Sequence, residues 1–278
     1  MNKKELIAEL EKLGMRPGRG LGQNFLLDGN LLDWIIRNSK VAPDDEVLEV
    51  GPGFGALTSR LLDAGAKVTA IEFDHRIAAY LREKFNGNEN LRLIEADACR
   101  ADINALFDPA KPYKSIANLP YAISSVFIAK LLELPNPPRK MFFMLQKEMG
   151  ERLAAVPGTK AYGALSVRVQ LCYQVKIEKI VPPEVFCPPP EVESALVSFE
   201  LHPEPLCSAA VARRCSQLVR TAFNQRRKQL GKVLGNLLGK DNVAKVFTAC
   251  SMPLEIRPDR LSVADFIRLA TEFESVCK

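Results

Sequence analysis

One stretch, Glu49-Val-Gly51-Pro-Gly53-Phe-Gly55, constrains the fold of this 278-residue chain more than any other. An apolar run, Val47 to Val50, precedes it, and helical spacing follows from about Ala56 to Ala64. Glycines between a strand and a helix permit a tight turn and let a ligand come close to the backbone. Downstream the pattern repeats. KVTAIEFD is a β-branched strand ending in acid, His75 to Phe85 is helical, and Leu91 to Ala96 and Lys114 to Ala117 are further strands. Ser124 to Leu134 is helical and Lys140 to Gln146 is another apolar strand. Strands alternating with helices predict a parallel α/β sheet.

Around this pattern, Met1 to Gly14 reads as a charged amphipathic helix. Residues 15–30 form a Gly-rich basic loop, and Leu31 to Ser39 a helix. After Gly163, ALSVRVQLCY and ALVSFEL have the composition of later strands of the same sheet. Between them VPPEVFCPPPEVES is too proline-dense for anything but loop. HPEPL at 202–206 reads as a linker, and helical spacing resumes at Ala209. The expected organisation is a Rossmann-like α/β domain over 1–204 and a small helical domain over 205–278.

Apolar residues make up 47% of the chain, enough for a large core and unlike a disordered composition. The net charge of +5 is unevenly placed: from residue 201 onward there are 13 lysines and arginines against 7 acids. That asymmetry suits a polyanion, although a basic stretch is also compatible with a plain solvated face. The start lacks a signal-peptide core, and no run of about 18 apolar residues exists, so a cytoplasmic protein without a membrane span is expected. The seven cysteines are scattered with no Cys-x-x-Cys pair, as reduced thiols are. His75 and His202 have no close Cys or His neighbour, so no metal site is expected.

Glu72 ends the second strand about 20 residues after the glycine loop, where a carboxylate can accept hydrogen bonds from a ribose diol. Asp97 follows the third strand, where it can accept from an exocyclic adenine amine or cap a turn. The glycine loop alone also accommodates a dinucleotide, since Ala56 stands where that fingerprint ends in Gly or Ala. All three elements together fit a Rossmann-like methyltransferase site along the C-terminal edge of the sheet.

The fourth strand runs into Asn118-Leu119-Pro120-Tyr121, similar to the tetrad of amino-methyltransferases that act on adenine N6. The chemistry calls for such residues. An adenine N6 lone pair is delocalised into the ring and is a poor nucleophile. An amide oxygen and a neighbouring carbonyl that accept both N6 hydrogens pull the nitrogen towards tetrahedral geometry. Proline stiffens the turn, and the aromatic offers a face for stacking, worth about 1–3 kcal/mol per base. The base must be splayed from its stack to reach such a site.

Nearly the whole chain resembles the ribosomal RNA adenine N6-dimethyltransferases, specifically the bacterial small-subunit branch known for kasugamycin sensitivity. The resemblance is carried by Leu21-Gly-Gln-Asn-Phe-Leu26, EVGPGFGALT at 49–58, Asn118 to Tyr121, and QKEMGERLAAVPGTKAYGALSV at 146–167. VFCPPPEVESALV at 185–197, FNQRRKQL at 223–230 and RPDRLSVADF at 257–266 continue it. It implies S-adenosylmethionine as methyl donor, no metal, and two methyls on each of two adjacent adenosines in the 3′-terminal hairpin loop of small-subunit rRNA. The substrate implied is an immature small subunit, and the enzyme a monomer. Gln23, Asn24, Leu26, Gly51, Gly53, Gly55, Glu72, Asp97, Ala98 and Asn118 would bind the donor. Asn118, Leu119, Pro120 and Tyr121 would form the target-amine site, with Phe186 stacking the base from the other side. Arg220, Arg226, Arg227, Lys228 and Lys232 would meet phosphates.

Two positions depart from the family pattern: Ala122 where Asn is common, and Glu191 where Lys is common. Neither is assigned to chemistry. The rival readings are a large-subunit rRNA dimethyltransferase, a DNA adenine methyltransferase, a non-catalytic assembly factor and an NAD-dependent oxidoreductase.

Overall fold

The computed structural model describes residues 3–15 and 24–276. Its strands are β1 (Phe25–Leu26), β2 (Glu46–Val50), β3 (Lys67–Glu72), β4 (Leu91–Glu95), β5 (Lys114–Asn118), β6 (Lys140–Gln146), β7 (Tyr173–Val181), β8 (Phe186–Cys187) and β9 (Ser194–Leu201). Its helices are α1 (Lys3–Lys12), α2 (Gly29–Ser39), α3 (Ala56–Asp63), α4 (His75–Lys84), α5 (Ser124–Leu131) and α6 (Lys147–Leu153). They continue with α7 (Ala164–Cys172), α8 (Ala209–Asn224), α9 (Leu230–Leu238), α10 (Lys240–Ala249) and α11 (Val263–Val276). Among the described residues no helix is long and apolar enough to cross a membrane.

Seven strands form one sheet in the order β4-β3-β2-β5-β6-β9-β7. Strands β2 to β6 pair in parallel, while β9 runs antiparallel to β6, with Met141 opposite Phe199. The expected parallel sheet is therefore a mixed one. Its middle strands are buried along nearly their whole length, as strands covered on both faces must be. From β2 the chain steps outward to β3 and β4, then returns to the other side of β2 for β5 and β6. The strand order reverses between β2 and β5, and the connections leaving their C-terminal ends diverge there. Ligands of open α/β sheets bind in such a crevice.

The chain divides into two compact units, Met1–Gly150 with Lys176–Leu201, and Glu151–Val175 with His202–Lys278. The first holds the sheet. One of its apolar clusters joins Leu31, Ile35 and Leu61 to Val47, Val68 and Phe142. Another seats Leu6 and Leu10 of α1 against Phe54, Ile77 and Leu81. Full burial of a leucine stabilises by about 1.5–3 kcal/mol, so α1 is held by its apolar stripe despite its many charges. The second unit is helical around Tyr162, Leu218, Phe247, Phe266 and Phe273. The Tyr162 hydroxyl donates to the Leu261 carbonyl at 2.8 Å.

Three further expectations need correction. The boundary expected at 204/205 misses residues 151–175, which belong to the helical unit. ALSVRVQLCY is not a strand: Ala164–Cys172 is α7, and the strand starts at Tyr173. Val167, Val169 and Leu171 alternate like a strand, but Ser166 is buried as well, so burial is not confined to one strand face. The Ser166 hydroxyl donates to the Arg152 carbonyl and accepts from the Gly163 N–H, which fixes the first turn of the helix. The proline-dense segment is loop for most of its length, interrupted by a 3₁₀ turn at Pro183–Val185 and by β8.

Candidate active site

The crevice between β2 and β5 opens into a cavity of about 260 Å³. Four sequence segments reach it from the ends of successive strands: the glycine loop after β2, Glu72 to Asp74 after β3, Ala96 to Ala98 after β4, and Asn118 to Ile123 from β5. Asn24 to Leu27 line it as well. Gln23 lies outside the described residues.

Gly51 shows why the loop needs glycine. Its φ is +68°, and a Cβ there would lie 2.9 Å from Pro120 Cγ. The cofactor-type loop and the tetrad thus touch, and a side chain at Gly51 would push them apart. Gly53 also lines the cavity. Gly55, expected to do so, does not. It sits at the N-cap of α3 with φ +74°, and a Cβ there would lie 2.7 Å from the Phe85 ring. The third glycine therefore serves helix packing against α4 and leaves ligand contact to the other two.

Four carboxylates line the cavity, Glu49, Glu72, Asp74 and Asp97, and no lysine or arginine does among the described residues. Asp74 caps α4 and pairs with Arg76 at 2.8 Å. Asp97 Oδ1 accepts from the Cys99 N–H at 2.8 Å, and Oδ2 lies 3.5 Å from Arg100. Glu72 is buried, and its Oε1 accepts from the N–H groups of Phe73 and Asp74, each at 2.9 Å. Burial pushes the Glu72 carboxyl upward, opposed by these backbone donors and that of Gly53. Glu49 accepts from the Thr58 hydroxyl at 2.7 Å. Its burial pushes the carboxyl up to about 8, against the Thr58 bond, with Glu72 adding repulsion and Lys84 drawing it back.

The expected site did not include Glu49. Its signal was visible, an acid inside an apolar strand two residues before Gly51, but an acid in a strand gives no clue which way it points. Phe73 was also missed. It is 66% exposed at the cavity, an unusual position for a phenylalanine.

The tetrad is held from three sides. The Asn118 side-chain amide donates to the Asn24 carbonyl at 2.9 Å, which turns its Oδ1 the other way. Leu119 is buried, and its N–H donates to Met144 in β6. The Tyr121 and Ser194 hydroxyls hydrogen-bond at 2.6 Å, tying the aromatic to the start of β9. The Pro120 carbonyl accepts from the Ile123 N–H, and the Tyr121 carbonyl from the Ser124 hydroxyl. Ala122 also lines the cavity.

Leu26 and Ala98 also line the cavity, both largely buried. Phe186 does not line it. The β1–β8 pairing sets Phe186 opposite Leu26, and the ring is 4% exposed within the apolar cluster of Leu31, Ile35 and Phe142. An aromatic packed there has no free face for a base, so the expected stacking role is withdrawn.

The basic residues of the second unit do not form one set. Arg227, Lys228 and Lys232 are exposed, as is Arg220. Arg226 is engaged within the unit: its guanidinium donates to the carbonyls of Thr159 and Lys160 at 3.0 and 2.8 Å, and Asp259 lies 3.7 Å away. It braces the 159–160 loop, a role that a run of consecutive cations conceals.

Known proteins resemble the chain along nearly its whole length. A protein named ribosomal RNA small subunit methyltransferase A from Pseudomonas syringae pv. syringae is 41% identical over 265 residues, covering 94% of this chain and 96% of that one. The crystal structure of a dimethyladenosine transferase from Plasmodium falciparum superposes with a TM-score of 0.75 at 28% identity, covering 91% of this chain and 98% of that one. A 23S rRNA methyltransferase superposes with a TM-score of 0.69 at 26% identity, covering 90% of this chain and all of the other. The model of the ribosomal RNA adenine dimethylase family matches residues 17–275, and the chain belongs to that family.

Proposed function

We propose that this enzyme transfers methyl groups from S-adenosylmethionine to the N6 amines of two adjacent adenosines in the 3′-terminal hairpin loop of small-subunit rRNA. Each adenosine receives two methyls. The enzyme acts as a monomer on an immature small subunit and needs no metal.

The observation that carries the donor assignment is the cavity's charge. A dinucleotide brings a pyrophosphate, which the carboxylates of Glu72, Asp74 and Asp97 would repel. S-adenosylmethionine brings a sulfonium and an ammonium, cations that such a lining attracts. Its sulfonium supplies an electrophilic methyl group when bound. Glu72 accepts from the ribose hydroxyls through the oxygen that Phe73 and Asp74 leave open. Asp97 accepts from the adenine amine.

At the tetrad, Asn118 Oδ1 and the Leu119 carbonyl accept the two hydrogens of the target amine. The bond from Asn118 Nδ2 to Asn24 keeps the oxygen facing the base. Tyr121, steadied by Ser194, gives the base its stacking face. Each transfer breaks the S–CH3 bond as the N6–CH3 bond forms, S-adenosylhomocysteine leaves and the displaced N6 proton passes to solvent, so alignment and fixed dipoles supply the rate with no strong general base. Arg227, Lys228 and Lys232, with Arg220, contact RNA phosphates.

Two observations favour the small subunit over the large one: identity to the small-subunit relative is 41%, against 26% to the 23S enzyme. The test is incubation with methyl-labelled donor and unmethylated small or large subunits, followed by mapping of the modified bases. Label on two adjacent small-subunit adenosines is expected. Label on the large subunit, or on none, overturns the reading. Asn118→Ala is expected to lower transfer at least about 100-fold, as loss of a fixed polar group in a transition state does. If that variant still supports subunit maturation, an assembly role coexists with catalysis.

A further inference from the structure

We infer that Lys130, on the last turn of α5, is a positioning residue for recognition of the donor's adenine. This rests on the reading of Asp97 as acceptor for the adenine amine. The Lys130 ammonium donates to the carbonyls of Ala98 and Cys99, each at 3.0 Å, and to that of Ala101. Three carbonyls of one turn thus converge on one cation, and all three belong to the segment that follows Asp97.

Peptide geometry turns this contact into a statement about Asp97. In a trans peptide the C=O and the next N–H point in opposite directions. With the Ala98 carbonyl on Lys130, the Cys99 N–H points the other way, and it donates to Asp97 Oδ1 at 2.8 Å. One peptide unit therefore joins the ammonium to the carboxylate. The N–H groups of Arg100 and Ala101 donate to the Asp97 carbonyl at 2.9 and 2.8 Å, which closes the turn from its other end. Without the cation three carbonyl dipoles would crowd together with nothing between them. The turn would relax, the Cys99 N–H would leave Oδ1, and the carboxylate would lose its fixed direction. Lys130 does not line the cavity and acts only through this turn.

The experiment uses the full chain with two ligands, S-adenosylhomocysteine and its analogue with a 6-oxo group in place of the adenine amine, titrated by calorimetry. Wild type is expected to prefer the amine by at least about tenfold, because a 6-oxo group sets an acceptor against the Asp97 carboxylate and leaves it unpaired beneath the bound ligand. Asp97→Ala abolishes the preference if Asp97 reads the amine. If it does not, the reading of Asp97 fails, whatever Lys130 does. Lys130→Met is expected to shrink the preference at least about fivefold and to raise the donor KM about tenfold, with kcat at saturating donor within about twofold. Lys130→Arg, which keeps a cation on the turn, is expected to retain the preference. The inference is overturned if Lys130→Met keeps wild-type preference, or loses affinity for both ligands equally as a merely structural lysine would. Should Lys130→Met not fold, Lys130→Gln serves in the same titrations with the same outcomes.

Discussion

Glu49→Gln tests the electrostatics of the cavity floor. The Glu49 carboxyl is held at about 8, against 4.5 for an ordinary glutamate. The folded state therefore keeps a proton that the unfolded chain gives up above 4.5. A raised folded value contributes stability that is complete below 4.5 and is lost as the pH climbs through 8. Between pH 6 and 8 the loss amounts to about 2.3 kcal/mol, at about 1.36 kcal/mol per pH unit until the group begins to ionise near 8, and it levels off above 8. Glu72 shifts in the same direction, but it is common to both proteins and cancels in the comparison. Glutamine has the same shape and no charge, so the variant should match wild type below about pH 4, exceed it by about 2 kcal/mol at pH 6 and exceed it by about 4–5 kcal/mol at pH 8.5. The assay is urea unfolding of the ligand-free protein at several pH values. It is followed by fluorescence of the single tryptophan, Trp34, which packs against the core of the sheet-bearing unit. Parallel pH profiles for wild type and variant, differing in slope by less than about 0.5 kcal/mol over this window, would refute the assignment of a buried, protonated Glu49.

Ser194→Ala removes the partner of the Tyr121 hydroxyl. It should cost about 1 kcal/mol of stability and lower kcat/KM several-fold, and Tyr121→Phe should cancel most of the additional loss in a double-mutant cycle. Gly51→Ala forces a side chain into φ +68° and against Pro120. It should destabilise by at least about 1–2 kcal/mol in urea and weaken donor binding at least about tenfold by calorimetry. Replacing Arg227, Lys228 and Lys232 together by alanine should flatten the plot of log affinity for rRNA against log salt by about 2, with donor affinity unchanged. Arg226→Ala should instead lower thermal stability, since its partners are the carbonyls of Thr159 and Lys160. An unchanged salt slope in the triple variant would remove these residues from the RNA interface.

Features set by neighbours in sequence were readable from the sequence itself. The glycine loop between strand and helix, the acids Glu72 and Asp97 at strand ends, and the tetrad leaving β5 are local patterns. A parallel sheet with its crossovers then brings the ends of successive strands together without further information. The whole series from β2 to β6 was legible for the same reason: continuous apolar runs alternate with helical ones.

Features set by which segments meet were not readable. The alternating valines of α7 suit a strand as well as a helix, and only packing in the second unit decides between them. Nothing in the order of residues says that 151–175 leaves the sheet-bearing unit and joins the helical one. Phe186 and Gly55 sit in motifs that suggest ligand contact, yet pairing with Leu26 buries one and the Phe85 ring claims the other. Arg226 differs from Arg227 only in what lies beside it. Glu49 owes its raised carboxyl to burial, and Lys130 its role to three carbonyls some thirty residues earlier. Side-chain direction, burial and dielectric environment depend on distant parts of the chain, so only the tertiary structure could decide them.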